Sequence, residues 1–320
     1  MLIEIENCAD SLREVQKILL LCHAHPDGDT LGSATALALA LKAMGKETAV
    51  LCDDEIAPKY DFMFTGVHRT VDFEPELIVA VDVADPELLG KNLNLKYGEK
   101  VDMCIDHHTS NRSFAQATWL DADSASVAEM VYELLRLLEA EITPQMASCL
   151  FTGVSTDTGC FRFSNTTSRS HRIAAELIDA GADSQMIIQN FFEIKSRSYA
   201  MLEKMAMDEL QLYLGGRCAI MPVTRAMLGK SGASDSDTDR LANIPRRIEG
   251  VVVAVTLKEQ PGGEFKASVR THGDVDASAI CERMGGGGHV GAAGCTLQMP
   301  LPACVARIIE EVEKEIGRQP

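Results

Sequence analysis

The sequence lacks the features that would place it in or on a membrane. Its 320 residues contain no apolar run near the ~18 residues that a bilayer-spanning helix requires, since runs such as residues 18–22 are far shorter. The first six residues carry no basic side chain and therefore do not resemble the start of a signal peptide. We expect no membrane partner and a cytoplasmic location.

Positive charge is scarce. The chain has 30 Lys and Arg against 47 Asp and Glu, which gives a formal net charge of −17. Long nucleic acids are bound by neutralising many phosphates with Lys and Arg, so we expect no long nucleic-acid partner. Small phosphorylated ligands need only a local pocket of donors or metal ions, and the acidic balance does not exclude them.

Closely spaced cysteine pairs are also missing. The nearest two of the ten cysteines, Cys295 and Cys304, lie nine residues apart, and no CxxC motif occurs. This spacing favours reduced, mostly buried thiols in a cytoplasm over a disulfide framework or a zinc ribbon.

Short apolar strands alternate with amphipathic helices in the first half of the chain. Continuous apolar strands such as residues 77–83 are typical of a parallel sheet covered by helices on both faces. We predict strands at residues 18–22, 48–52, 77–83 and 101–105, and helices at residues 31–44, 127–138, 145–154 and 168–180.

A second and smaller α/β unit is predicted near the C-terminus. Its strands are expected at Cys218–Val223, 250–257 and 265–270, and its last helix at 302–316. The predicted fold class is therefore α/β, with a parallel-sheet domain over residues 1–184, a helical linker over 185–210 and a smaller α/β domain over 211–320. The sequence leaves the oligomeric state open, a homodimer included.

Acidic and histidine side chains stand at the ends of the predicted core elements in the first half. They are His23, Asp27 and Asp29 after the first strand, Asp82 after the third, Asp106, His107 and His108 after the fourth, and Asp157 near the end of a helix. Loops after parallel strands converge at one edge of a sheet, where ligands bind. Any one of these aspartates alone would more often be a cap or turn residue; the coincidence of four segments favours a metal site.

Carboxylates gathered without counter-charge repel one another. Two like charges ~4 Å apart repel by about 4 kcal/mol at an effective dielectric of 20, so cations or protons must be present. Carboxylate oxygens mixed with imidazole nitrogens suit Mn²⁺, and also Co²⁺, Fe²⁺ or Zn²⁺. The number of ligands suits two ions better than one, and such a pair generates a hydroxide nucleophile for displacement at phosphorus.

Four consecutive glycines, Gly285 to Gly288, precede His289 in the second half. Such a run is usually a flexible tether. Because it lies between two regular segments, we favour a phosphate or carboxylate cradle built from backbone amides. Arg270, at the end of a predicted strand, is a candidate second anion contact.

Together these segments resemble the DHH phosphoesterase family. His23, Asp27 and Asp29, then Asp82, then Asp106 to His108, then Asp157 match its four N-terminal motifs in order, and Gly286 to His289 match the signature of the first type of DHH-associated domain. Residues 106–111 and 161–167 strengthen the resemblance to the bacterial subgroup of bifunctional oligoribonuclease (nanoRNase) and pAp phosphatase enzymes, where pAp is 3′-phosphoadenosine 5′-phosphate.

The resemblance implies a role for each matching residue. One metal ion would be held by His23, Asp27 and Asp82, and the other by Asp29, His107 and Asp157, with Asp82 bridging. Asp106 would orient a histidine, and His108 would contact the scissile phosphate or protonate the leaving oxygen. The substrate would be held by Arg270, Gly286, Gly287, Gly288 and His289, with Arg112 as a further candidate.

The function that this resemblance implies is metal-dependent phosphoester hydrolysis with two divalent ions, most simply Mn²⁺. The expected reactions convert pAp to AMP and phosphate, and short oligoribonucleotides to mononucleotides. Alternatives with the same core are a stand-alone cyclic-dinucleotide or pGpG phosphodiesterase, a single-strand-specific DNA exonuclease and a non-catalytic nucleotide sensor.

Overall fold

Two compact α/β units make up the protein. The computed structural model describes residues 1–317, apart from the side chain of Asp239. The first unit spans Met1–Ile194 and the second begins at Lys195. Each unit contains one sheet with helices packed on it, which confirms the predicted fold class.

The sheet of the first unit is entirely parallel, with strand order β2-β1-β3-β4-β5. Its strands are β1 (Lys17–Leu21), β2 (Glu47–Leu51), β3 (Leu77–Val81), β4 (Met103–Asp106) and β5 (Ala117–Leu120). The short edge strand β5 escaped prediction because Thr118 interrupts its apolar residues over only four positions.

Seven helices accompany this sheet in the first unit. They are α1 (Ile5–Glu14), α2 (Gly28–Ala43), α3 (Lys91–Tyr97), α4 (Val127–Leu137), α5 (Pro144–Asp157), α6 (Ser168–Asp179) and α7 (Ser184–Ile188). Leu20 and Val79 pack on one face in a core shared with α2, α4 and α5, whereas Leu19 and Ile78 face a second core with α3. Burial on both faces explains why these strands are continuously apolar.

Helix α2 begins three residues earlier than predicted. Asp27 is its N-cap, and its Oδ1 atom accepts hydrogen bonds from the backbone amides of Asp29 (2.9 Å) and Thr30 (3.2 Å). These bonds satisfy two of the amides that a helix start leaves without partners, so the first turn forms over Gly28 and Asp29.

The segment predicted as a helical linker consists of two helices. Helix α7 continues into a π-helical turn over Gln189–Glu193, and α8 (Arg197–Asp208) starts anew at the N-cap Ser196. Ile187 belongs to the core of the first unit, and Leu202 to a core of the second. Each half of the segment is therefore packed on its own unit, and the domain limits at residues 184 and 210 stay a prediction.

The second unit is built on a mixed sheet with order β10-β11-β9-β8-β7-β6, in which only β7 and β8 are parallel. Its strands are β6 (Gln211–Tyr213), β7 (Cys218–Val223), β8 (Val253–Glu259), β9 (Phe265–Thr271), β10 (Gly287–His289) and β11 (Ala292–Leu297). One face packs against α10 (Ala277–Glu282) and α11 (Leu301–Ile316), and part of the other against α8 and α9 (Arg225–Ser231).

The glycine run forms a strand, and the alternative of a flexible tether is wrong. Gly287–His289 is β10 and pairs antiparallel with β11. Gly288 has φ 152°, and a Cβ there would lie 2.6 Å from the Ala292 carbonyl oxygen, so the close strand pairing requires glycine. The run is a sheet edge rather than the start of a helix.

No helix within residues 1–317 has the length and apolar composition that crossing a bilayer requires.

Replacing Gly32 by alanine should destabilise the first unit. A Cβ at Gly32 of α2 would lie 2.3 Å from the Cys149 carbonyl oxygen of α5, and backbone yields little. Overpacking of this kind costs about 1–3 kcal/mol in the free energy of unfolding. Urea unfolding measures it. Gly229→Ala is the control, because its Cβ would meet open space in α9 and should stabilise by ~0.4–1 kcal/mol. Equal stability of the two variants would contradict the close helix packing.

Candidate metal centre

Five core elements bring the acidic and histidine side chains to one edge of the parallel sheet. His23 follows β1, Asp82 follows β3, Asp106 ends β4, Asp27 and Asp29 begin α2, and Asp157 ends α5. The carboxyl ends of parallel strands meet at this edge, as the sequence pattern predicted. Three groups of ligand atoms lie there, each with its atoms within 4.8 Å of one another: His23, Asp27 and Asp82; Asp29, His107 and Asp157; and Asp82, His107 and His108.

The first group is built around the imidazole of His23. Its Nε2 lies 3.7 Å from Asp27 Oδ1 and 3.6 Å from Asp82 Oδ2. Its Nδ1 lies 2.7 Å from the Ala24 carbonyl oxygen. A carbonyl only accepts, so Nδ1 carries the hydrogen and Nε2 is the nitrogen available to a cation.

The second group is built around His107 in the same way. Its Nδ1 donates to the Ser124 carbonyl at 3.1 Å, and its Nε2 lies 3.3 Å from Asp157 Oδ2. Asp29 is completely buried, and its two oxygens accept hydrogen bonds from the amides of Val127 (2.7 Å) and Ala128 (2.8 Å) at the start of α4. The amides of that helix N-terminus favour the ionised carboxylate.

Asp82 lies between the two groups. Its Oδ2 faces His23, and its Oδ1 lies 3.7 Å from His107 Nε2. The residue has φ 62°, a left-handed conformation that aspartate tolerates and that directs its buried side chain off the end of β3. Asp82 therefore lies close to the histidines of both groups, which is the position that a residue bridging two cations would occupy.

Two buried atoms at the centre of the site have no hydrogen-bond partner within residues 1–317. They are Asp82 Oδ1 and His107 Nε2. Buried polar atoms are nearly always paired, because leaving one unpaired costs about 1–3 kcal/mol. A divalent cation would satisfy both atoms, and the mixed oxygen and nitrogen donors fit first-row transition ions. The clusters could therefore hold metal ions.

Asp106 fixes the orientation of His108 by a hydrogen bond. Asp106 is buried, and its Oδ1 accepts from the His107 amide (2.9 Å) and from His108 Nδ1 (2.8 Å), while its Oδ2 accepts from Asn111 Nδ2 (2.5 Å). The donors His108 and Asn111 lower the pKa of Asp106 despite burial. The hydrogen bond to Asp106 raises the pKa of His108 to about 9.

Burial or neighbouring charges raise the pKa of three side chains in the ligand groups, His23, Asp29 and Asp157. Burial lowers the pKa of His23, but the carboxylates of Asp27 and Asp82 raise it to about 11. Burial raises the pKa of Asp157 to about 7, with Asp82 adding to the effect. Burial and the charges of Asp82 and Asp157 likewise raise the pKa of Asp29.

Two further side chains lie outside the clusters. His25 is exposed and pairs with Asp54, with Nδ1 at 2.8 Å from Oδ2, and it belongs to none of the three ligand groups. Arg112 is exposed and forms an ion pair with Asp85 at 2.6 Å. Its predicted contact with substrate stays a prediction.

Arg270 and His289 occupy one row of the second unit's sheet. Arg270 on β9 is paired with Ala292 on β11, and Ala292 with His289 on β10. Directly paired residues point to the same face, and two strand spacings separate the pair by about 10 Å. Gly287 and Gly294 form the next pair on that face. The sheet surface between and beside Arg270 and His289 therefore consists of small residues.

Comparison with known proteins follows the same division of the chain. The family model for the DHH family, N-terminal domain, matches residues 17–154, and the model for the DHHA1 domain matches residues 216–318. A bifunctional oligoribonuclease and PAP phosphatase NrnA from Thermus thermophilus is 33% identical over 317 residues, covering 97% of this chain and 94% of that protein. The chain belongs to the DHH family of phosphoesterases.

Solved structures share the fold of this DHH-family chain. An exopolyphosphatase-related protein from Bacteroides fragilis superposes with a TM-score of 0.83 at 23% identity, covering 97% of this chain and 95% of that one. The exonuclease RecJ bound to manganese superposes with a TM-score of 0.51 at 14% identity, covering 100% and 96%.

Glu129 supports the site of this DHH-family chain and was missed by sequence reasoning. It is completely buried on α4, and its Oε2 accepts from Ser124 Oγ and the Ala125 amide, both at 3.3 Å. Because the Ser124 carbonyl accepts from His107 Nδ1, Glu129 fixes the segment that orients this imidazole. The Ser126-x-x-Glu129 capping pattern was its only signal in the sequence.

Metal uptake should release protons, and the apparent affinity should rise with pH. A cation requires the deprotonated forms of His23 and Asp157, whose pKa values of about 11 and about 7 keep them wholly or partly protonated at neutral pH. Each proton released raises the affinity up to about tenfold per pH unit. Calorimetric titration of Mn²⁺ in buffers with different ionisation enthalpies measures this.

His23→Gln should weaken uptake strongly, while His25→Gln should leave it unchanged. The pair is matched, because both are histidines of one loop but only His23 lies in a cluster. A pH-independent affinity, or equal losses in the two variants, would overturn the proposed ligand set.

Proposed function

We propose that this DHH-family protein hydrolyses phosphate esters of short nucleotides with two divalent cations, Mn²⁺ by preference. The proposed reactions are pAp to AMP and phosphate, and short oligoribonucleotides to mononucleotides. The observation that carries the proposal is the pair of ligand groups sharing Asp82, with two buried ligand atoms left unpartnered between them. The name of the Thermus thermophilus relative supports both substrates.

The proposed ligand sets are His23, Asp27 and Asp82 for one cation, and Asp29, Asp82, His107 and Asp157 for the other. Bound cations of this kind supply a hydroxide nucleophile and offset charge on the phosphoryl oxygens. Hydrolysis adds a water oxygen to phosphorus and breaks the ester bond, so the leaving oxygen needs a proton.

His108 is suited to deliver this proton. Its Nδ1 is held by Asp106 at 2.8 Å, which leaves Nε2 as the nitrogen for the leaving oxygen. The hydrogen bond to the Asp106 carboxylate favours the protonated imidazole and raises the pKa of His108. Asp106 stays ionised, since its donors lower its pKa, and it therefore acts as the positioning residue for His108.

Arg270 and His289 are the proposed binding residues for the substrate's other phosphate or its terminal nucleotide. Arg270 provides a permanent charge, and the small residues between it and His289 leave room for a ligand on the sheet surface. Gly286, Gly287 and Gly288 border this row on the edge strand, where no further strand pairs with β10 in the described residues.

The thiols support a cytoplasmic location for this activity. All ten cysteines are free and eight of them are buried. Free thiols persist in reducing compartments, so we propose that the protein works in the cytoplasm.

Asp82→Asn should abolish turnover more completely than any other ligand substitution. Asp82 belongs to both ligand groups, so its loss should cost more than the ~10–100-fold that removing an outer partner of a metal ligand costs. The measurement is kcat with bound metal per chain, and Asp54→Asn is the matched control outside the clusters. Near-normal turnover at full metal occupancy would contradict the assignment of Asp82 as a ligand shared by both cations.

Turnover of wild-type protein should be highest on pAp and short RNA. The panel compares these with pGpG, cyclic di-AMP and long single-stranded DNA under the same Mn²⁺ concentration. A preference for either dinucleotide, or processive degradation of the long strand, would replace the proposed substrates. Absence of metal-dependent turnover on all of them would favour a nucleotide sensor.

Arg270→Ala and His289→Ala should raise KM while leaving metal content unchanged, because both residues lie outside the ligand groups. Loss of a charge-assisted contact is worth about 1.5–3 kcal/mol, or roughly 10- to 150-fold in KM. Substrates with an additional phosphate should suffer more than a simple aryl phosphate ester. Equal losses on both kinds of substrate would show that Arg270 and His289 do not bind the additional phosphate.

A further inference from the structure

Phe163 is the one aromatic residue classed as exposed within residues 1–317, with 58% of its surface accessible. The chain has only 10 Phe, 5 Tyr and 1 Trp, and the others are buried or half-buried. A single exposed apolar side chain needs no explanation by itself. The backbone beneath this one supplies the second observation.

Three consecutive residues before Phe163 adopt the left-handed conformation. The φ angles are 56° for Gly159, 58° for Cys160 and 61° for Phe161, and two of these residues are not glycine. Such strain persists only where the surrounding structure enforces it, and it clusters at functional sites. The turn directly follows Asp157, one of the ligand-group residues.

The turn is fixed to the metal centre by hydrogen bonds. The amides of Arg162 and Phe163 both donate to the Thr158 carbonyl, at 2.9 and 3.0 Å. Asn165 Nδ2 donates to the carbonyls of Asp157 (3.2 Å) and Ala125 (3.1 Å). The position of Phe163 is therefore tied to the backbone that carries Asp157 and to the segment beside Ser124.

The two phenylalanines of the turn have opposite environments. Phe161 stacks on His171, with ring centroids 5.2 Å apart, and lies 6.1 Å from the buried Phe151. Phe163 instead rests on Gly159, where a Cβ would collide with the ring. The strained backbone thus anchors one ring inside the unit and supports the other at the surface.

We propose that Phe163 is the stacking platform for a nucleobase of the substrate. The inference rests on the proposed function, since it names what the substrate carries beside its phosphate. Cations held by the carboxylates would recognise phosphate but would not distinguish a nucleotide from another phosphate ester. An exposed ring held by rigid backbone supplies that distinction, and it accepts every base because every base has a π face.

The kinetic test compares a substrate with and without its base. Phe163→Leu should raise KM for pAp by about 5- to 150-fold, the range that stacking loss gives. It should leave turnover of ribose 3,5-bisphosphate, which lacks the base, unchanged. Phe163→Tyr should restore the wild-type KM, because it restores the ring. Leu95→Ala, at a residue 88% exposed, is the control for an apolar surface change.

A second readout is independent of catalysis. In Phe163→Trp, pAp added with Ca²⁺ in place of Mn²⁺, so that cations can still hold its phosphates, should quench the new indole fluorescence, and ribose bisphosphate should not. The single native tryptophan, Trp119, is buried, and wild-type protein gives its background.

The outcomes separate the two proposals. Quenching by pAp without any nucleotide turnover would sustain the platform and overturn the proposed function. Normal turnover of pAp with an unchanged KM in Phe163→Leu would overturn the platform alone. A fall in melting temperature matching that of Phe161→Leu would show that the Phe163 ring is a packing residue, which also overturns it.

Discussion

Asp29 accepts hydrogen bonds from the amides of Val127 and Ala128, although it belongs to α2 and they begin α4. Burial and the charges of neighbouring carboxylates disfavour its ionised form, whereas the helix N-terminus favours it. The contact requires α2, α4 and α5 to meet at one point. Gly153 of α5 allows this, because a Cβ there would lie 2.8 Å from Asp29 Oδ1. The packing of three helices and the charge of the site therefore depend on the same carboxylate.

The same arrangement recurs across the site. Backbone amides of α2 donate hydrogen bonds to Asp27. The His107 amide and the Asn111 side chain donate hydrogen bonds to Asp106. Backbone carbonyls occupy the Nδ1 atoms of the two ligand histidines and fix their tautomers. The protein thus satisfies the outer atoms of these side chains itself. Two inner atoms, Asp82 Oδ1 and His107 Nε2, have no hydrogen-bond partner in the described residues, and one cation could contact both.

The central strands of the first sheet and the clustering of acidic and histidine side chains at their ends were predictable from the sequence because one physical cause marks both. A strand buried on two faces is continuously apolar, so an aspartate such as Asp82 or Asp106 at its end is conspicuous. The strands β10 and β11 gave no such signal, since they consist largely of small residues such as Gly287 that form no continuous apolar run. Glu129 was hidden for another reason: its partners at Ser124 and Ala125 are adjacent only after α4 folds, and a capping glutamate is usually exposed.

The proposed preference for short substrates rests on the charge of the whole chain. Cations bound among Asp82 and its neighbours attract a phosphate strongly, but their field is screened beyond about 8 Å at roughly 0.15 M ionic strength. The chain as a whole has a formal net charge of −17. The additional phosphates of a long strand would on average meet negative charge, the reverse of what nucleic-acid-binding surfaces provide. A base stacked on a ring such as Phe163 would add affinity without adding charge, so under this proposal recognition beyond the phosphate comes from stacking rather than from a basic surface.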